Sequence, residues 1–109
     1  TVAQEIERRK LRRNAKDRGE QLREGLDQLV ARYPEHLEAV RGWGLLQGVV
    51  IRQDSSWTAP MLAGAAIEQG LLLVAAGPSV LRFVPPLVIS AREVRLLLQR
   101  LEATLISLL

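Results

Sequence analysis

The sequence contains no cysteine. A disulfide framework, a thiolate metal site and a cysteine nucleophile are therefore excluded, and a reducing, cytoplasmic setting is expected. Histidine occurs once, as His36, in a polar stretch with no ligand cluster around it, so no metal is expected. Lysine occurs only as Lys10 and Lys16, both inside one charged stretch. A Schiff-base lysine needs a dry pocket to lower its pKa, and neither position offers one. Ser55, Ser56, Ser79, Ser90 and Ser107 have no general base in view. No apolar run approaches the roughly 20 residues of a membrane span, so no membrane partner and no signal peptide are expected. No catalytic residue is assigned, because the chain holds no complete catalytic apparatus.

What is present is ordinary globular composition: 48% apolar and 25% charged over 109 residues, enough for one domain, residues 1–109, with a modest core. The chain begins at Thr1, already in a helical pattern, which suggests a piece of something longer. The net charge of +3 raises the question of nucleic acid, since Arg8, Arg9, Lys10, Arg12, Arg13, Lys16 and Arg18 crowd one end. Glu5, Glu7, Asp17, Glu20, Glu24 and Asp27 are interleaved with them, many at helical pairing distances. No aromatic residue intervenes to stack on a base. The pattern reads as a solvated, salt-bridged face, and no nucleic-acid partner is expected.

Residues 2 to 33 read as helix, with Leu11, Ala15, Leu22, Leu26, Leu29, Val30 and Tyr33 on one stripe. A kink near Arg9 to Leu11 is expected to divide it, and Gly19 and Gly25 suggest close packing. Pro34 ends it. Strands are expected over Leu37 to Arg41 and Leu45 to Ile51, then a helix capped by Ser56 or Thr58 that runs to about Gln69 and buries Leu62, Ala63, Ala66 and Ile67. Gly70 stands where a left-handed cap belongs. Leu71 to Ala75 and Val80 to Val84 read as a hairpin, and Ser90 with Glu93 forms a capping box for a last helix that buries Val94, Leu97, Leu98, Leu101, Leu105 and Leu108. The expected fold is α+β: a small, mainly antiparallel sheet of three to four strands with helices packed on one face, the hairpin's second strand lying between the two strands of a crossover unit.

Gly42-Trp43-Gly44-Leu45-Leu46-Gln47-Gly48 is rich in glycine but precedes a strand, whereas phosphate-binding glycines lie between a strand and a helix. Turn geometry accounts for it better. The informative stretch is Val80 to Ile89. From Leu71 to Ile89 the only charged residue is Arg82. On a strand, Leu81 and Phe83 point to one face and Val80, Arg82 and Val84 to the other. Pro85-Pro86 has no backbone donors and takes the chain out of the sheet. A guanidinium keeps its charge, so it needs acceptors. Either it pairs with a carboxylate of its own fold or lies along the sheet edge with its head in water, or it is a hook for a substrate carboxylate or phosphate, which the planar fork grips with two hydrogen bonds.

Three segments carry a family likeness. Val40-Arg41-Gly42-Trp43-Gly44-Leu45-Leu46-Gln47-Gly48 is similar to a "VRGxGLxxG" motif, Ala75 to Leu87 to "AGPxVLRFxPPL", and Arg18-Gly19-Glu20-Gln21-Leu22 to "RGExL". The chain resembles the C-terminal small domain of class-III aminotransferases of the acetylornithine/ornithine type, pyridoxal-phosphate enzymes of fold type I. The resemblance implies transfer of an amino group from acetylornithine, or an ornithine-like donor, to 2-oxoglutarate. It assigns Arg82 to the substrate carboxylate. It places the cofactor-binding residues in a large domain of the same chain, so pyridoxal phosphate is not expected to bind residues 1–109 and these are expected to be inactive alone. It implies a homodimer. The family often has a Gly-Leu-containing break where Arg8-Arg9-Lys10-Leu11 stands here. The alternatives from the residues alone are a free-standing anion-binding or regulatory module, in which Trp43, Leu45, Pro85, Pro86 and Leu87 would be sealed in a compact monomer, and a basic-helix nucleic-acid-binding domain.

Overall fold

No proline or glycine interrupts the chain between Thr1 and Arg18, and Thr1 and Gln4 form a reciprocal capping box. In the computed structural model, which describes residues 1–86 and 88–109, this stretch is one continuous helix, α1 (Val2–Arg32). The break expected near Arg9 to Leu11 is absent: that stretch holds nothing that removes a backbone donor or frees φ. Leu22, Leu26 and Leu29 are buried on the stripe, while the first ten residues are all exposed. At about 1.5 Å per residue, α1 sets the long dimension of a molecule 52 Å by 23 Å by 23 Å.

After α1 come β1 (Leu37–Trp43), β2 (Leu46–Ile51), α2 (Ala59–Glu68), β3 (Val74–Ala76), β4 (Val80–Phe83) and α3 (Ala91–Ser107). The sheet order is β1-β2-β4-β3, and every neighbouring pair is antiparallel. β2 and β3 therefore run parallel with β4 between them, as the crossover reading requires. The expected α+β fold is the observed one, with all three helices on one face of the sheet. α1 and α3 pack on each other, α1 lies against β1 and β2, and α2 against β3 and β4.

The core between sheet and helices is apolar: Val49, Ile51, Leu81 and Phe83 from the sheet meet Leu22, Leu26, Leu62, Val94, Leu101 and Leu105 from the helices. Thr58 caps α2 and the Ser90–Glu93 box caps α3. Gly70 takes φ +74°, the left-handed value expected after α2. Three expectations need correction. Ile67 is 64% exposed, because the buried stripe of α2 is Ala59, Leu62 and Ala66 and Ile67 lies to its side. Leu71 to Leu73 stays outside β3, which pairs only through Val74, Ala75 and Ala76. Leu45 is buried in the core and lies in the β1–β2 turn, and it is Leu46 that faces out.

Candidate functional site

The outer face of the sheet, opposite the helices, is fixed by alternation. Leu81 and Phe83 are 2% and 1% exposed, so Arg82 between them is turned outward. Phe83 is among the largest fully buried side chains, and its burial holds β4 in a register that a one-residue slip would invert. Across the sheet, Arg82 stands opposite Gly48 on β2 and Val74 on β3, and Gly48 stands opposite Arg41 on β1. One row thus reads Arg41, Gly48, Arg82, Val74, with all four on the same face.

A cleft of about 470 Å³ opens over this row, lined by Arg41, Leu46, Gly48, Val80, Arg82 and Val84. Two guanidiniums and an apolar wall suit a molecule with a carboxylate at one end and a carbon chain behind it. The described ion pairs are Arg23–Asp27, Arg32–Glu102 and Arg52–Asp54, so neither arginine of the cleft has an acidic partner among the described residues. β2, β3 and β4 contain no acidic residue at all, and β1 has only Glu38. Of the readings of Arg82, pairing within its own fold lacks a partner among the described residues, while its exposure is shared by a head lying in water and by one that receives an anion.

The β1–β2 turn, which follows Arg41 on β1, is anchored to α1. Gly42 and Gly44 take φ +101° and +56°, conformations that favour glycine, so turn geometry is the reason for this run of glycines. Gln47, 3% exposed, donates from Nε2 to Gly19 O at 2.7 Å and to Gly44 O, tying helix to turn. A larger cleft of about 650 Å³ lies between α1 and this turn, lined among others by Lys16, Arg23, Glu20 and Glu24. Its acids and bases balance, so it has no preference for an anion or a cation. Of the five apolar residues Trp43, Leu45, Pro85, Pro86 and Leu87, Trp43 and Pro86 are exposed, Pro85 is half-buried, Leu45 is buried, and Leu87 lies outside the described residues.

Lys10 and Lys16 are both exposed on α1, so neither is the desolvated lysine that pyridoxal phosphate requires. The lysines of this chain do not fit the covalent anchor of that cofactor. His36 stacks on Trp57 with ring centroids 3.8 Å apart and has Nδ1 2.6 Å from Ser55 Oγ, a packing role. Among the described residues no group of acidic or histidine side chains is arranged to hold a metal, and no helix is long and apolar enough to cross a membrane. Sequence reasoning singled out Arg82 and missed Arg41 and Gly48 as its neighbours, because cross-strand register is not written in either segment alone.

The outer face of this four-stranded α+β fold thus presents two arginines over an apolar-walled cleft. The class-III aminotransferase family model matches residues 1–105, and the chain belongs to that family, whose enzymes depend on pyridoxal phosphate. It is 68% identical over 108 residues to an acetylornithine aminotransferase of Parasynechococcus marenigrum, covering 99% of this chain and 26% of that protein. To an acetylornithine aminotransferase of Prochlorococcus marinus it is 61% identical over 105 residues, 96% of this chain and 25% of the relative. The chain therefore spans about a quarter of the length of the curated relatives it matches. Among solved structures, N-acetylornithine aminotransferase from Stenotrophomonas maltophilia superposes with a TM-score of 0.84 at 35% identity, over 91% of this chain and 27% of that one.

Proposed function

We propose that residues 1–109 are the C-terminal, substrate-positioning small domain of a pyridoxal-phosphate aminotransferase that moves an amino group from acetylornithine, or an ornithine-like donor, to 2-oxoglutarate in arginine biosynthesis. The observation that carries this reading is Arg82: exposed, without an acidic partner among the described residues, and presented over an apolar-walled cleft by a strand whose neighbouring side chains are both buried. The guanidinium receives the substrate carboxylate, and binding energy gathered there orients the reacting amine. The cofactor supplies the electron sink and is held by a large domain of the same chain. A cytoplasmic homodimer, with this domain closing over the site, completes the reading.

The test is Arg82→Gln in the full-length enzyme. Loss of one charge-assisted contact costs about 1.5–3 kcal/mol, so kcat/KM for acetylornithine is expected to fall tenfold or more. An unchanged kcat/KM removes Arg82 from the site. Residues 1–109 alone are expected to show no transamination when pyridoxal phosphate is supplied.

A further inference from the structure

We infer that Arg41 is a second carboxylate-binding residue, acting with Arg82 on the same acid group across the gap left by Gly48. The inference rests on the assignment of Arg82 above and extends it to a residue on another strand. Arg41 and Arg82 both stand opposite Gly48, one on each side, so they share a face with a single strand between them. At about 4.8 Å per strand, their Cα atoms lie roughly 10 Å apart, and an extended arginine side chain spans more than half of that. Nothing rises between them, because Gly48 has no side chain. A Cβ there would stand 3.2 Å from Leu81 O and 3.7 Å from Arg82 Cγ, so the Arg82 stem passes close to Gly48, the residue that separates it from Arg41.

Two cations lining one cleft repel each other, and an anion between them relieves that repulsion. No acid of β2, β3 or β4 supplies one, and Glu38 sits three residues before Arg41, toward the other end of β1. A carboxylate has about four lone-pair sites. One guanidinium fork occupies two of them and leaves two for a second donor. A single acid group therefore satisfies both arginines, and the apolar wall of Leu46, Val80 and Val84 takes the carbon chain attached to it.

The experiment uses the full-length enzyme and two inhibitors of the same shape, pentanoate and its uncharged analogue pentanamide. Inhibition constants against acetylornithine are measured for the wild type, Arg41→Gln, Arg41→Lys and Arg82→Gln, together with thermal midpoints. The expected result is that Arg41→Gln weakens pentanoate about tenfold or more, leaves pentanamide unchanged, and raises KM more than it lowers kcat. Arg41→Lys, which keeps the charge but not the fork, recovers part of the preference for pentanoate. A purely structural Arg41 would weaken both inhibitors alike and lower the thermal midpoint, which overturns the inference. If Arg82→Gln loses the charge preference and neither Arg41 variant does, the inference fails and the reading of Arg82 stands. If none of the variants changes it, both fail.

Discussion

Gly19 shows how little room separates α1 from the β1–β2 turn. A Cβ built there would lie 2.5 Å from Gly44 O, a backbone atom that cannot swing aside. Gly19→Ala must push helix and turn apart, and it also displaces the carbonyl that accepts from Gln47 Nε2. We expect it to destabilise the protein by about 1–3 kcal/mol, read as a lowered thermal midpoint; an unchanged midpoint would mean that the turn yields without cost. Gln47→Leu keeps the volume but removes the side-chain donor shared by the Gly19 and Gly44 carbonyls, a loss of about 1 kcal/mol. Because this clamp also anchors the turn that follows Arg41, the same variant is expected to raise KM for the amino donor in the full-length enzyme, which a stability effect confined to α1 would not do.

The elements differ in how far the sequence discloses them. α3 is legible from both directions: Ser90 and Glu93 announce its start, and Val94, Leu101 and Leu105 recur at helical spacing on its buried side. Ser90→Ala should cost about 1 kcal/mol, and a chemical-denaturation midpoint that does not move would show that Glu93 alone suffices to hold the first turn. β4 is legible because its alternation of Leu81, Arg82 and Phe83 survives unaltered in the burial pattern. β3 is not, since Leu71, Leu72 and Leu73 look like a strand yet make no ladder; only the chain's arrival beside β4 decides where pairing begins. Leu45 and Leu46 are two identical neighbours, and only the tight turn through Gly44 tells which of them enters the core. The site follows the same division. Arg82 could be read from its own strand, whereas Arg41 joins it through pairing with Gly48, a register set partly by the irregularity between Leu37 and Ala39.

For the molecule as a whole, the two faces of the sheet are in opposite conditions. The inner face is sealed by three helices, while the outer face leaves Trp43 85%, Leu46 67%, Val84 64% and Val74 51% exposed around the two arginines. Burying a side chain of this size is worth about 1.5–3 kcal/mol, so an open array of them on one flat surface is a contact surface in want of its counterpart. The chain spans a quarter of the length of its relatives, and we propose the remaining three quarters as that counterpart, with the arginine cleft enclosed at the junction. Trp57, 3% exposed and packed against Tyr33 and His36, provides an internal reference for testing it. Under hydroxyl-radical labelling, Trp43 should react readily in residues 1–109 alone and fall toward the level of Trp57 in the full-length enzyme, with Trp57 protected in both. Equal labelling of Trp43 in the two proteins would mean that this face stays open to solvent. The arginines would then have to bind their acid group in water, where each pairing is worth only a fraction of its value in an enclosed site.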